Sequence, residues 1–107
     1  MGRAKTSEVM VALKKLKRIA SKTYVIDQML LFGSRARGEE LLTSDVDVIV
    51  VSKDFKEIPF RKRPDVFLDL WNLPVDFEVL CYSPEELARK KKELGLVQEA
   101  LKQAVEI

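Results

Sequence analysis

The sequence predicts a single α/β (α+β) domain, residues 1–107, in which a small mixed β-sheet is flanked by helices. Helical and strand-like apolar patterns alternate along the chain in the order helix, strand, helix, strand, helix, strand, helix. Apolar residues make up 47% of the 107 residues, which suffices for one modest core. No internal repeat, low-complexity tract or linker interrupts this order, so we expect one compact unit.

The first half of the chain contains two predicted helices and two predicted strands. Apolar residues at spacings of three and four predict a helix over residues 7–20. Residues 24–32 suit a strand that ends at Gly33, and residues 34–40 suit a short helix. Residues 45–52 (DVDVIVVS) form the clearest strand, because β-branched and nearly continuous apolar residues indicate burial on both faces.

The second half begins with a polar connection, residues 53–64, that contains two prolines. A helix is predicted over residues 64–71, with its proline in the first turn. Residues 75–81 (VDFEVLC) alternate as a strand does. The S-P-E-E stretch that begins at Ser83 has the pattern of a capping box, so a helix should run from there to about residue 105, with a kink near Gly95.

Composition excludes several kinds of chemistry. There is no histidine, so neither an imidazole base nor an imidazole metal ligand is available. The single cysteine, Cys81, allows no disulfide framework and no cysteine metal cluster, and we expect it to be buried. The net charge of +2 does not favour direct nucleic-acid binding. No stretch has the apolar length of a membrane span or the pattern of a signal peptide, so we expect a cytoplasmic protein with no membrane partner.

Two aspartates open the strand at residues 45–52. Because side chains alternate between the faces of a strand, Asp45 and Asp47 point the same way. Two neighbouring carboxylates repel each other and resist desolvation, and a bound divalent cation such as Mg²⁺ relieves both effects. A solvated strand end would also accommodate them, and a bare D-x-D motif is short enough to arise by chance.

The turn at Gly33 and Ser34 makes the metal-site interpretation stronger. Here an apolar strand ends in glycine, and a hydroxyl residue opens the next predicted helix. Glycine lets the backbone approach a ligand closely, and the first amides of a helix favour phosphate. The alternative is an ordinary strand-to-helix turn in which Ser34 is a cap. Combined with the aspartate pair, the turn predicts a phosphate cradle beside a metal site.

A third acid is available in the strand predicted over residues 75–81. Asp76 lies there, and Glu78 shares its face. If this strand neighbours the aspartate pair, one of these acids can join it, and three carboxylates can hold two metal ions about 4 Å apart for phosphoryl or nucleotidyl transfer. Alternatively, both acids line the solvated face of an edge strand, which suits Glu78 better than Asp76.

These motifs resemble the DNA polymerase β-like nucleotidyltransferase superfamily, and most closely its minimal single-domain members, the MNT family. The family pattern is F-G-S-x-A-R-G, then S-D-x-D in an apolar strand, then a third aspartate in a later strand. The residues that match the first two parts are Phe32, Gly33, Ser34, Ala36, Arg37, Gly38, Ser44, Asp45 and Asp47, and V-D-F at residues 75–77 matches the third.

The resemblance implies a role for each matching residue and a polymerase β-like nucleotidyltransferase fold. Gly33 and Ser34 would hold the outer phosphates of ATP, the substrate. Asp45 and Asp47 would bind Mg²⁺, with two ions expected in all. Asp76 would bind the catalytic ion and help to activate the attacking hydroxyl, whose oxygen would attack the α-phosphate and release pyrophosphate.

Basic residues near the motif have less definite roles. Arg35 or Arg37 would stabilise phosphate charge, although Arg37 is equally suited to bracing the turn. The stretch at residues 61–63 lies between the second and third acids, where it either approaches the substrate or forms a solvated face.

The resemblance also implies a partner. Many MNT proteins are antitoxins that pair with a HEPN-family toxin, a ribonuclease, and some transfer AMP from ATP to a tyrosine of that toxin. A hetero-oligomer with a HEPN protein is therefore expected. Two alternatives remain open: a non-catalytic binding module that neutralises its partner sterically, and a nucleotidyltransferase that acts on a small molecule or RNA.

Overall fold

The computed structural model describes residues 2–38, 41–93, 98 and 101–107, and it contains one four-stranded mixed sheet with helices on both faces. The strands, in the spatial order β3-β2-β1-β4, are β1 Gln28–Phe32, β2 Val46–Val51, β3 Phe77–Tyr82 and β4 Val105–Glu106. The helices are α1 Thr6–Ala20, α2 Ser34–Arg37, α3 Asp65–Leu70 and α4 Pro84–Glu93, with 3-10 helices at Lys53–Glu57 and Phe60–Lys62. The predicted mixed sheet flanked by helices is confirmed.

Strand pairing explains why the sheet is mixed. β2 and β3 run parallel, whereas β1 is antiparallel to both β2 and β4. Parallel strands need a long crossover, and the 3-10 helices and α3 provide it between β2 and β3. No helix among the described residues is long and apolar enough to cross a membrane.

The two faces of β2 bury different residues. Val46, Val48 and Val50 have no exposed surface and belong to the main core, which α1 and α3 cover. On the opposite face, Ile49 and Val51 form a smaller cluster with Leu87 of α4. The aspartates lie at the start of this face, ahead of that cluster.

Side chains of α3, of β3 and of the residue after α3 contribute to the main core. Phe67 of α3 is fully buried, and Trp71 stacks on Phe77 with 4.3 Å between ring centroids. Cys81 is buried as expected, and burial raises the pKa of its thiol to about 12. The thiol therefore stays protonated at neutral pH and acts as a small apolar group.

The start of α4 is the predicted capping box. The Ser83 hydroxyl accepts a hydrogen bond from the Glu86 amide at 3.3 Å, and the Glu86 carboxylate accepts one from the Ser83 amide at 2.7 Å. Arg63 is buried and donates to the same carboxylate at 2.6 Å, and to the carbonyls of Ile58 and Cys81. Arg63 is thus committed to the fold, which leaves only the exposed Arg61 and Lys62 of that basic stretch able to approach a substrate.

Glu86→Gln is expected to destabilise the protein by about 2 kcal/mol at pH 7, since it removes a charged hydrogen-bond partner of Arg63 but keeps the cap. The Arg63 hydrogen bond lowers the pKa of Glu86 from 4.5 to about 2. The stabilisation is therefore fully present above pH 4.5 and is lost as the pH falls towards 2. Urea unfolding at a series of pH values measures it, with the exposed Glu85→Gln as control. A penalty independent of pH would contradict the assignment.

Element boundaries differ from the prediction in physically clear ways. β1 begins at Gln28 rather than at residue 24, because the Val25 amide donates to the Asp54 carboxylate instead of to a neighbouring strand. β2 and β3 begin one and two residues later than expected, and β3 ends one residue later. The short helix predicted over residues 34–40 ends at Arg37, and residues 39–40 lie outside the described part.

The prediction of a helix to residue 105 was wrong at its end. Val105–Glu106 is a strand that pairs antiparallel with Leu31 and Leu30 of β1, and the Ile107 amide donates to the Met29 carbonyl at 2.8 Å. The edge of β1 needs a hydrogen-bonding partner, but a two-residue strand is too short to show a periodic pattern. The kink predicted near Gly95 lies outside the described residues.

Candidate functional site

The turn between β1 and α2 is built around Gly33. Its φ of 78° and ψ of −159° lie in a region that is open essentially only to glycine. A Cβ atom here would stand 2.7 Å from Oδ2 of Asp47, closer than real Cβ contacts allow. The backbone conformation therefore requires Gly33, and the absence of a Cβ atom lets the Asp47 carboxylate pack against it.

The short helix α2 is held by backbone hydrogen bonds at both ends. The Gly33 carbonyl accepts from the amides of Ala36 and Arg37, at 3.1 and 3.2 Å. Gly38, with φ 73°, ends the helix by donating its amide to the Ser34 carbonyl. The first amides of a helix have no acceptor within it, so those of Ser34 and Arg35 start without an intrahelical bond beside Asp47.

Strand pairing brings the predicted acids together at the N-terminal ends of β2 and β3. Asp47 in β2 lies directly opposite Glu78 in β3. Asp45 and Asp76 immediately precede these strands, and the Val46 amide donates to the Asp76 carbonyl at 2.8 Å, so the pairing extends to that residue. The acids that sequence alone could place only on separate strands are thus neighbours.

Asp47 is the most perturbed of these acids. Partial burial raises its pKa above the usual 3.8, and the charge of Glu78, a hydrogen bond with Glu78 and the charge of Asp45 raise it further. A divalent cation at this position would relieve the repulsion between these carboxylates, and the all-oxygen donor set suits Mg²⁺.

The predicted triad is assembled only in part. Glu78, rather than Asp76, is the β3 acid that contacts Asp47. Asp45 and Asp76 are exposed. As their side chains stand, no three carboxylates in the part of the chain that the structure describes are close enough to hold one ion together. Glu78 is solvent-exposed, as its sequence position suggested. It also faces Asp47, because the register between β2 and β3 pairs these two residues, and the sequence does not show this register.

The geometry argues against Arg35 as a phosphate ligand. Its side chain is buried, and the guanidinium donates to the carbonyls of Ala4, Leu42 and Ser44 and to the Thr6 hydroxyl, at 2.8 to 3.3 Å. These bonds fasten the loop before Asp45 to the start of α1. Arg35 thus braces this part of the structure, and the roles suggested for Arg37 stay predictions.

Arg35→Lys is expected to destabilise the protein by about 3 kcal/mol, because one ammonium cannot replace a planar fork that serves several buried carbonyls. The exposed Arg61→Lys should change stability by less than about 0.5 kcal/mol. Urea unfolding of the two variants tests this. Equal stabilities for the two would mean that the Arg35 hydrogen bonds do not support the loop before Asp45.

Known proteins share both the sequence and the fold of this chain. The nucleotidyltransferase domain family matches residues 13–107. A protein of Methanocaldococcus jannaschii named "Putative protein adenylyltransferase" is 38% identical over 80 residues, which span 70% of this chain and 90% of that relative. A second protein of the same name and organism is 34% identical over 77 residues, or 68% of this chain and 76% of its own length.

A solved structure extends the likeness to the fold of nearly the whole chain. It is described as a "putative nucleotidyltransferase from Sulfolobus solfataricus", and it superposes with a TM-score of 0.67 over 99% of this chain and 89% of its own. At 21% identity this similarity shows the fold alone.

Proposed function

Because this chain belongs to the nucleotidyltransferase domain family, we propose that it is a Mg²⁺-dependent enzyme that transfers AMP from ATP to a hydroxyl group of a partner protein. The main support for the proposal is the contact between Gly33 and Asp47. It places the turn between β1 and α2, where phosphates would bind, beside the acids at the start of β2 and β3. The names of the two M. jannaschii relatives support protein as the acceptor class.

The residues at the site suit the two halves of this reaction. Gly33 and Ser34 would receive the outer phosphates at the start of α2. Asp45 and Asp47 would hold Mg²⁺, and either Asp76 or Glu78 would supply the third carboxylate. Bound Mg²⁺ would neutralise phosphate charge and lower the pKa of the acceptor hydroxyl.

The transfer itself exchanges a phosphoanhydride bond of ATP for a phosphodiester bond to the acceptor. The acceptor oxygen forms a bond to the α-phosphorus, the bond between that phosphorus and the bridging oxygen of the β-phosphate breaks, and pyrophosphate leaves. The hydroxyl proton passes to a carboxylate at the β3 side of the site, where Asp76 and Glu78 lie. Because burial and the neighbouring carboxylates raise the pKa of Asp47, a cation bound there would favour the charged form of this side chain.

The acceptor we propose is a tyrosine of a HEPN-family toxin, with the chain as the antitoxin of the pair. The MNT-like motif F-G-S-R-A-R-G and S-D-V-D supports this choice over a small molecule or RNA. The net charge of +2 gives no electrostatic reason for RNA as acceptor. Such a pair would form a hetero-oligomer.

Label transfer tests the proposal. The chain is incubated with Mg²⁺ and a HEPN protein from the same organism, with ATP labelled at either the α- or the γ-phosphate. We expect the α-label alone to become attached to the HEPN protein, at a tyrosine that mass spectrometry identifies. Transfer of the γ-label would mean phosphorylation and would contradict the proposal. Label that appears only on a small molecule or RNA would identify a different acceptor.

A non-catalytic binding module is the second candidate. It is favoured because Asp45 and Asp76 are exposed, and because no three carboxylates of the described residues lie close enough to share one metal ion. The combined substitution Asp45→Asn and Asp47→Asn separates the two. If the enzyme is the correct interpretation, this variant no longer neutralises the HEPN ribonuclease; a binding module neutralises it as well as the unaltered chain does.

A further inference from the structure

A groove of about 560 Å³ runs along β3, which is an edge strand of the sheet. Its apolar floor consists of Leu80 and Tyr82 from β3 and Phe60 from the second 3-10 helix. The rings of Phe60 and Tyr82 are 5.6 Å apart. Phe60 is 49% exposed and Leu80 39% exposed, although both are large and apolar. Such a surface beside a polar site is typical of a ligand pocket.

The other wall of the groove is charged. Arg89, Lys90 and Glu93 line it from one face of α4. Glu86 also borders the groove, but its carboxylate is already bound by Arg63 and by the Ser83 amide. The groove therefore combines an apolar floor with a flexible, largely basic rim, which suits a flat, apolar group attached to an anion.

The groove continues the surface that carries the acids. Glu78, Leu80 and Tyr82 alternate with the buried Val79 and Cys81, so they share one face of β3. Residues two apart on a strand are separated by about 7 Å. Leu80 is therefore one step along β3 from the acid that contacts Asp47.

The order of the strands gives a bound nucleotide a direction. The Gly33 turn follows β1, the aspartate pair belongs to β2, and the groove lies on β3. Neighbouring strands are about 4.8 Å apart, so the distance from β1 to β3 is about 10 Å. A nucleotide with its outer phosphates at the turn and its α-phosphate at the acids directs its nucleoside towards β3.

We propose that this groove binds the nucleobase of the nucleotide substrate, with a preference for purines; this rests on the proposed function. The base packs against Phe60 and Leu80, and a purine covers more of this apolar floor than a pyrimidine. The charged side chains that line the groove, Arg89, Lys90 and Glu93, are long enough to accommodate either adenine or guanine.

Calorimetric titration in Mg²⁺ tests the site with three probes: ATP, CTP and inorganic triphosphate. ATP binding should weaken by about tenfold in Phe60→Ala, which removes an aromatic stacking surface, and by a similar factor in Leu80→Ala, which removes apolar contact area. Binding of inorganic triphosphate should not change, and the unaltered chain should bind ATP more tightly than CTP. Leu68→Ala, which truncates an exposed leucine of α3 outside the groove, is the matched control.

The outcomes separate the nucleobase site from the proposed function. ATP affinity that is unchanged in both variants would overturn the nucleobase site, and so would an equal weakening of triphosphate binding. Reduced transfer to protein with unchanged ATP affinity would assign the groove to the acceptor and overturn the proposal as well. If the unaltered chain bound neither ATP nor triphosphate, the proposed function would fail, and the nucleobase site would fail with it.

Discussion

Gly33→Ala is expected to destabilise the protein by about 3 kcal/mol and to abolish Mg²⁺-dependent ATP binding. The backbone of Gly33 occupies a region that costs other residues about 1–3 kcal/mol. The added Cβ would also stand 2.7 Å from Oδ2 of Asp47, so the carboxylate must move. Denaturant unfolding and calorimetric titration of ATP measure the two effects.

Gly38→Ala is the matched control, because Gly38 also has a positive φ, 73°, but a Cβ there would meet nothing within 4 Å. We expect it to cost about 1–2 kcal/mol from backbone strain alone and to leave ATP binding unchanged. A second control introduces Gly33→Ala into Asp47→Ala, where the clashing oxygen is gone and the penalty should fall. If Gly33→Ala and Gly38→Ala behave alike in both assays, the contact with Asp47 does not shape the site.

Asp47→Asn is expected to lower nucleotidyl transfer by roughly 1,000-fold while leaving the fold at least as stable at pH 7. Asparagine keeps the shape of the side chain and offers an amide N–H donor to Glu78, but it removes a charge that burial, Glu78 and Asp45 all disfavour. Because solvent screens this partly exposed group, the gain in stability should be below about 1 kcal/mol.

The pH dependence of Asp47→Asn has a defined sign. The folded pKa of Asp47 is raised above 3.8, so the folded state binds the proton more tightly than the unfolded state does. The unaltered chain therefore loses stability relative to the variant as the pH rises from 3.8 through the raised pKa of Asp47. Below pH 3.8 the charge of Asp47 no longer causes a difference in stability between the two proteins. Adding Mg²⁺ should reverse the order at pH 7 by stabilising the unaltered chain alone. Thermal unfolding with Mg²⁺ and with EDTA measures both effects, and a stable variant that still responds to Mg²⁺ would contradict the assignment of Asp47.

Much of the fold follows from patterns that are local in the sequence. The 3.6-residue period of α1, the apolar run of β2 and the capping box at Ser83 each specify their element without tertiary information. Local chemistry also singles out Gly33 and Ser34, because a glycine between an apolar strand and a hydroxyl residue is typical of a turn that brings the backbone close to a ligand.

The remaining features depend on contacts between distant parts of the chain. β4 forms because its backbone hydrogen-bonds to the otherwise open side of β1. Its two residues are too few to show a strand-like pattern in the sequence. Glu78 faces Asp47 because β3 is offset so that Val46 pairs with Phe77, and the sequence does not encode this offset locally. Arg35 and Arg37 are indistinguishable by local chemistry, but only Arg35 is buried in the protein, where carbonyls from separate segments meet its guanidinium.

We propose that the turn at Gly33 and the acids around Asp47 form one Mg²⁺-dependent nucleotide site. The most direct test is calorimetric titration of ATP into the chain, with Mg²⁺ and with EDTA, beside Asp47→Asn. We predict binding in Mg²⁺ that disappears both in EDTA and in the variant. ATP binding that is equally strong in all three conditions would contradict the claim, because the nucleotide would then bind without the carboxylates.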